Sequence, residues 1–242
     1  MTPLPRILHP TLPILVPSLK KASRFRPFTV KEEKILLMAK ESAEPEVDHL
    51  RAIHQIVGNC IADDLDVNTL STFDLEWLYL KITSISVKSV IQQAFNDREE
   101  RLSGLDPLPV YEFDIDLEQV RAPEVPNSVT NGIHTITLES GDGVDLVYPP
   151  AVLFTDPEFS KNTGDAVLYR STKRIFTKDS SFDTSQSTQA EVVEYFDGWL
   201  AKDIELVKNF LDTIPTMLYE CKYKNSYGNE RTIKLTSLVD FF

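Results

Sequence analysis

The sequence predicts an α+β fold, with an N-terminal helical bundle, a small antiparallel sheet, a long C-terminal helix and a terminal β-hairpin. Three observations predict it. Apolar residues recur at helical spacing over residues 29–102, they alternate with polar residues over 108–156, and helical and then hairpin patterns follow within 157–242. The chain has 242 residues, of which 42% are hydrophobic, and is therefore large enough to bury a core.

Residues 1–28 form a proline-rich, basic arm in this interpretation. Six of the fifteen prolines lie within residues 1–31, so this part should be extended and polyproline-like instead of helical. The arm also contains leucine, isoleucine and valine residues, which would be a liability if they stayed in solvent. We therefore expect the arm to lie along its own body or along a partner.

The helical region, residues 29–102, begins with a clear start signal. Thr29 can cap a helix, and Glu32 stands three residues later, the spacing of a capping box. A second acidic residue, Glu33, also favours the positive end of the helix. The first helix is therefore predicted to begin at Thr29 and to end near residue 41.

Three more helices are predicted in the same region. The second begins near Pro45 and carries one apolar stripe at three- and four-residue steps. The third begins near Thr72, and a further helix is predicted over residues 86–97 because its apolar residues follow a similar spacing. Together these helices form the predicted bundle.

The region 108–156 predicts a three-stranded antiparallel meander. Apolar residues alternate with acids over 111–117, and a second strand is predicted over 133–140. Gly141, Asp142 and Gly143 form a hairpin-turn signal before the third strand, 144–148. Because three strands are too few to be stable alone, they should pack on helices.

The last region, 157–242, begins with a polar stretch, 157–188, that contains two strand-like runs, 167–169 and 174–176, and ends in residues 180–188, which are predicted to be an ordered loop at best. Thr188 with Glu191 resembles another capping box and opens the predicted long helix. Pro215 should stop or kink this helix, since proline lacks the backbone N–H that a helix interior needs.

A terminal hairpin is predicted from strands over 218–222 and 232–235, with a turn between them. Cys221 lies where a zinc ribbon would carry its first Cys-x-x-Cys pair, but Lys224 occupies the matching position and no second pair follows. The sequence therefore predicts no zinc site at this hairpin.

The net charge is unevenly placed. The chain carries 25 basic and 37 acidic residues, a formal net charge of −12. Residues 1–31 hold six basic residues and no acid, so residues 32–242 hold 19 basic and 37 acidic residues, a balance of −18. A general phosphate-binding surface is disfavoured. A nucleic-acid-binding accessory protein that uses the basic arm remains an alternative.

Catalytic and cofactor signals are weak throughout. The four histidines fall in no catalytic or metal-binding spacing, and there is no nucleophile elbow or Walker loop. We therefore expect no enzyme activity and no cofactor; the alternative is an unrecognised hydrolase using Asp114 and Asp116 on one strand face. Two cysteines form no disulfide framework, which favours a reducing, cytoplasmic compartment, and neither a signal peptide nor a membrane span is predicted.

Three segments resemble a known family. They are residues 25–34 (Phe-Arg-Pro-Phe-Thr-Val-Lys-Glu-Glu-Lys), residues 60–78 with their Leu-Ser-Thr-Phe-Asp-Leu-Glu-Trp-Leu stretch, and the closing Leu-x-x-Phe-Phe pattern of 238–242. These segments are similar to baseplate proteins of T-even-like bacteriophages with contractile tails, which are associated with the central hub and its assembly. Many relatives carry paired cysteines near the C-terminus where this chain has Lys224, so the resemblance implies no metal-stabilised terminus here.

The resemblance implies a non-enzymatic structural or assembly-chaperone role in the phage tail baseplate hub, through protein–protein contacts. The partners would be other hub or tail proteins, with no small-molecule substrate. The implied location is the host cytoplasm during assembly, with the virion tail baseplate as a further possibility.

Candidate partner-binding residues lie at both ends of the chain, where aromatic anchors accompany cations or close the sequence. They are Lys20, Lys21, Arg24, Phe25, Arg26, Phe28, Phe241 and Phe242. An extended segment of this composition could add to a partner's sheet edge or lie across an acidic groove. The alternative is that Phe25 and Phe28 cap the protein's own helical core, with Phe28 ahead of the Thr29 cap.

Overall fold

A computed structural model describes residues 7–41, 45–155 and 163–241. Within these residues the fold is mixed helix and antiparallel sheet, which confirms the predicted α+β class. The helices are α1 (Val30–Lys40), α2 (Pro45–Cys60), α3 (Thr72–Ser86), α4 (Arg98–Leu102), α5 (Thr163–Ser171), α6 (Gln189–Asp197) and α7 (Ala201–Asp212). The strands are β1 (Leu12–Val16), β2 (Lys21–Phe25), β3 (Val90–Phe95), β4 (Tyr111–Asp116), β5 (Val129–Thr130), β6 (Ile133–Thr137), β7 (Gly143–Leu146), β8 (Thr172–Phe176), β9 (Ser181–Asp183), β10 (Tyr219–Lys224) and β11 (Glu230–Leu235).

Residues 12–25 of the N-terminal arm form an antiparallel hairpin of β1 and β2 that lies on the chain's own body, and residues 1–6 of the arm lie outside the described residues. The hairpin turn places Lys20 in the left-handed region with a φ of 52°. Val16 and Phe25 are fully buried, and Leu15 O accepts a hydrogen bond of 3.0 Å from Trp77 Nε1. The backbone is extended but forms paired strands, so it is not a polyproline helix.

Helix α3 is the central element of the fold. Ten of its fifteen residues are buried, which is the pattern of a helix surrounded by other elements. Ser71 caps it and Asp74 completes a capping box, and the equivalent box at Thr29 and Glu32 starts α1. The predicted starts of these two helices are therefore present.

The helix predicted over residues 86–97 is wrong. Residues 90–95 form β3, which pairs antiparallel with β4 from Val90 opposite Asp116 to Phe95 opposite Tyr111. The β-branched Val87, Val90 and Ile91 favour a strand. The apolar residues fit both the helical and the strand repeat, and the pairing with β4 selects the strand.

The predicted three-stranded meander also needs correction. Strands β6 and β7 pair as predicted, but β4 pairs with β3 instead of joining them. The sheet is a five-stranded antiparallel meander in the order β5-β6-β7-β8-β9. Its last two strands come from the stretch 157–188: the strand-like run 174–176 is confirmed within β8, whereas the run 167–169 lies in α5, and β9 lies within the predicted loop 180–188. Gly143 is required in β7, because a Cβ there would lie 2.1 Å from Ile136 O.

The prediction of a single long C-terminal helix is wrong as well, since the structure has two helices there, α6 and α7. Gly198 caps α6, and Leu200 has an extended backbone with a ψ of 148°. The break lets Phe196 of α6 and Val207 and Phe210 of α7 all reach the same core. The terminal hairpin of β10 and β11 is confirmed.

Two hydrophobic cores meet at α3. The first core joins the N-terminal hairpin, α2, α3, β3, β4 and the C-terminal segments, and the second lies between the five-stranded sheet and helices α6 and α7. Leu75 and Leu78 belong to the first core, whereas Phe73 packs edge-on against Tyr148 in the second, at 5.0 Å between ring centroids. One helix therefore contributes to both cores.

No helix among the described residues is long and apolar enough to cross a membrane.

Candidate partner-binding surface

The segment 25–34 connects the N-terminal hairpin to α1. Phe25 is fully buried in the first core. Arg26 makes two contacts with Glu32, at 2.9 Å from Nη2 to Oε1 and 3.2 Å from Nη1 to Oε2. Glu32 also accepts hydrogen bonds from Thr29 N and Thr29 Oγ1. Burial would raise the pKa of Glu32, but the hydrogen bonds from Arg26 and Thr29 lower it to about 2.

Phe28 is half-buried beside α3. Its ring centroid lies 5.6 Å from that of Tyr79, and its backbone N–H donates to Ser86 Oγ at 2.8 Å. The contacts of Phe25, Arg26 and Phe28 are therefore contacts within the chain. A role for these three residues in binding a partner stays a prediction.

The second resembling segment fastens α3 to the N-terminal hairpin. Asp74 is fully buried and accepts hydrogen bonds from Ser71 Oγ at 2.5 Å and from Ser18 N at 2.9 Å. Burial raises the pKa of Asp74, while the bonds from Ser71 and Ser18 oppose that rise. Together with the bond from Trp77 to Leu15, these contacts hold the hairpin at both its turn and its strand.

The third segment closes the first core. Leu238 and Phe241 are buried, and Phe241 O accepts a hydrogen bond of 2.7 Å from Gln93 Nε2. The Leu238 N–H donates to the Glu76 side chain of α3. Burial raises the pKa of Glu76 to about 7, against the effect of the Leu238 bond and with a further contribution from Asp240. Phe242 lies outside the described residues.

The predicted cations have different surroundings. Lys20 Nζ donates to Pro126 O and Val129 O, both at 2.8 Å, and so ties the hairpin turn to the region of β5. Lys21 and Arg24 are exposed. The Arg24 guanidinium donates to Thr11 Oγ1 at 2.9 Å and to Thr11 O at 3.1 Å, and the backbone N–H of Arg24 donates to Asp63 Oδ2 at 2.8 Å.

Arg24 lies with apolar residues on the outer side of the hairpin, whereas Lys21, which alternates with the buried Ser23 and Phe25, is exposed at the turn end. Arg24 pairs across the strands with Pro13, and Ala22 pairs with Leu15. All four are exposed, and Leu15 retains 45% of its accessible surface. We define the hairpin face as Pro13, Leu15, Ala22 and Arg24, with Lys21 at its turn end.

The outward position of Ala22 and Leu15 was missed at the sequence level. The signal is the alternation within β2, where Ser23 and Phe25 are buried and Ala22 and Arg24 are exposed. Because successive residues of a strand point to opposite faces, an anchoring Phe25 places Arg24 outward.

Asp114 and Asp116, the pair in the hydrolase alternative, share one face of β4. Asp114 Oδ1 accepts from Gln92 Nε2 at 3.1 Å, and Asp116 accepts from Glu118 N and Gln119 Nε2, both at 2.9 Å. Such neutral, local contacts are typical of a solvated strand face.

Cysteine and metal chemistry has little support in the described part of the chain. No group of three or more His, Cys, Asp or Glu side chains there is placed to hold a metal ion. Cys60 and Cys221 are both free and buried. Burial raises the pKa of Cys60 to about 11, which disfavours the reactive thiolate.

Comparison with known proteins agrees with the resemblance. A family model described as T4 bacteriophage base plate protein matches residues 9–242. No curated protein and no solved structure matches the chain. The matched range includes all three resembling segments. In the structure, residues of all three segments pack in the first core together with α3. The chain therefore belongs to the T4 bacteriophage base plate protein family and has a structural role in a phage baseplate.

Proposed function

We propose that this protein is a non-enzymatic structural or assembly-chaperone component of the phage tail baseplate hub, and that it acts through protein–protein contacts made by the hairpin face. The observation that carries the proposal is the combination of exposed apolar residues with the exposed Arg24 on that face and the exposed Lys21 at its turn end. The hairpin beneath it is firmly attached, because Phe25 is buried and Asp74 and Trp77 hold its backbone.

The composition of the hairpin face indicates the chemistry of its partner. Leu15 and Pro13 offer apolar contact area, and Arg24 and Lys21 offer charge. An acidic protein surface with an apolar centre complements this arrangement, since opposite potentials steer association and apolar burial stabilises it. The partners proposed are thus other hub or tail proteins, met in the host cytoplasm during assembly.

The rigid attachment also favours the hairpin face over the buried aromatic residues as the contact surface. Phe25 and Phe241 are fully buried, so a partner could reach them only after the first core opened. Arg24 and Lys21 need no such rearrangement. Binding through the hairpin face therefore avoids the free-energy cost of exposing core residues.

The test is capture of hub proteins from infected cells by the tagged full-length chain. The double variant Lys21→Glu with Arg24→Glu should lose these proteins, whereas the control Lys222→Glu with Lys224→Glu, on exposed positions of β10, should retain them. Circular dichroism establishes that both variants fold. Equal capture by the two variants would contradict the proposal.

Mass spectrometry of purified virions separates the two proposed roles. A hub component is present in the finished particle at a fixed ratio to other baseplate proteins. A chaperone is captured with hub proteins in infected cells but is missing from virions.

A further inference from the structure

A cleft opens where the α6 and α7 helices separate. It has a volume of about 530 Å³ and lies between residues 198–200 and the turn after β6. We call it the helix-break cleft; its walls and rim include Leu138, Glu139, Asp142, Tyr195, Trp199 and Asp203. It is separate from the hairpin face.

The walls of the helix-break cleft are aromatic and apolar. The rings of Tyr195 and Trp199 are half-buried, with centroids 6.0 Å apart and an interplanar angle of 69°. Leu200 lies at the break and is 62% exposed. Aromatic ring faces attract cations, and leucine side chains can cover the aliphatic stem of a lysine or arginine.

The rim of the cleft is acidic. The cleft is lined by Glu139, Asp142, Asp203 and the cation Lys202, whose Nζ lies 3.6 Å from Glu139 Oε1. Both members of that pair are largely exposed, so it is a weak surface pair. A second cation, Lys178, lies against Gly141 of the turn after β6. Asp142 accepts its hydrogen bond from Ser140 Oγ at 2.9 Å, which is a neutral donor. The rim keeps a net negative charge even beside the positive end of the α7 dipole.

Aromatic walls with a carboxylate rim fit a cationic side chain, and a guanidinium best of all. A guanidinium can stack on a ring and donate to carboxylates at the same time. The hairpin face of this chain presents such a group, Arg24, and Lys21 is exposed at its turn end. Residues 1–31, which supply both cations, contain no acid, whereas residues 32–242 carry the −18 balance that includes the cleft.

We propose that the helix-break cleft binds the hairpin face of a second copy of this chain, with Arg24 entering the cleft. This inference rests on the proposed function, because it uses the same hairpin face. The two surfaces differ, so the contact is heterologous and joins copies head to tail. Association should therefore weaken steeply as salt rises.

Sedimentation velocity of the full-length chain at several concentrations tests the inference. At about 0.05 M salt the chain should form species larger than a monomer, and at about 0.5 M these should largely dissociate. The variants Asp142→Lys with Asp203→Lys and Lys21→Glu with Arg24→Glu should each self-associate at least about tenfold more weakly. The control Glu112→Lys with Glu230→Lys changes the net charge as the cleft variant does, at exposed positions outside both surfaces, and should associate normally.

Mixing the two charge-reversed variants is the most discriminating experiment. Copies of one variant repel one another, because their hairpin face and cleft carry charge of the same sign. In the mixture, the basic surfaces of one variant meet the acidic surfaces of the other, so association should return. A chain that stays monomeric at low salt, or a mixture that fails to restore association, overturns the inference. Neither result affects the proposed function, which is judged by capture of hub proteins.

Discussion

Glu32, Asp74 and Glu100 are fully buried carboxylates, and each accepts several hydrogen bonds from within the chain. A buried charge is costly unless it is paired or hydrogen-bonded, so such residues persist where they hold separate elements together. Glu32 holds Arg26 and the α1 cap, and Asp74 holds the hairpin turn. Two of the resembling segments are therefore explained by internal contacts of the fold.

Glu76 differs from Glu32 and Glu100, whose pKa values are lowered in the fold, because burial raises the pKa of Glu76 to about 7. The folded state thus binds a proton more tightly than the unfolded chain, and this group's contribution to stability falls as the pH rises from about 4.5 to 7. The variant Glu76→Gln can still accept from the Leu238 N–H and carries no charge. We expect it to be more stable than the wild type by about 2 kcal/mol at about pH 8 and equal to it at about pH 4.

Urea unfolding at the two pH values measures this difference. The exposed Glu194→Gln serves as the control and should show no comparable change with pH. An equal effect of Glu76→Gln at both pH values would contradict the expectation.

At the scale of elements, the terminal hairpin is fastened to α4 by a polar network. Glu100 Oε1 accepts from Ser226 N at 2.7 Å, from Ser226 Oγ at 2.5 Å and from Tyr111 Oη at 2.8 Å. Tyr223 Oη donates to Asp97 Oδ2 at 2.7 Å. The bonds from Ser226 to Glu100 and from Tyr223 to Asp97 link residues that are 126 positions apart in the chain.

We expect Glu100→Ala to loosen the terminal hairpin locally, because Ser226 N and Tyr111 Oη lose their acceptor. Amide hydrogen exchange in β10 and β11 should accelerate at least about tenfold, while exchange in β6 and β7 stays unchanged. The exposed Glu194→Ala is the control. Uniform acceleration across both sheets would instead show that the network stabilises the whole molecule.

The elements that the sequence predicts well are those with local signals. The capping boxes at Thr29 and Thr188 lie where α1 and α6 begin, and the terminal hairpin follows its turn. The strand β3 could not be predicted, because Val90, Ile91 and Phe95 fit both periods and only the distant β4 decides between them. The break between α6 and α7 at Gly198 could not be predicted either, because the direction of α7 depends on where the second core lies.

The candidate site shows the same division. The exposed position of Arg24 follows from charge and strand alternation, whereas Lys21 is exposed because it lies beside the hairpin turn. The burial of Phe25 and Phe241 depends on α2, α3 and β3, which are distant in sequence. Composition marks aromatic residues as contact residues but does not say whether the contact lies within the chain or with a partner.

At the scale of the whole molecule, the question is whether the two cores unfold together. Helix α3 supplies Phe73 to the second core and Leu75 and Leu78 to the first, so loss of α3 would open both. The chain has two tryptophans, and each reports on one core: Trp77 lies in the first, and Trp199 packs against the second. Single-tryptophan variants can therefore follow each core separately.

We expect Trp77→Phe and Trp199→Phe each to unfold with a fluorescence midpoint that coincides with its far-ultraviolet circular dichroism midpoint, as a two-state transition requires. Adding Phe73→Ala removes a buried ring and should lower stability by about 3 to 4 kcal/mol in both backgrounds. Because α3 is shared, Trp77 should report this loss even though Phe73 belongs to the other core. If the Phe73→Ala change moved the Trp199 transition and left that of Trp77 in place, the cores would be independent units and α3 would not couple them.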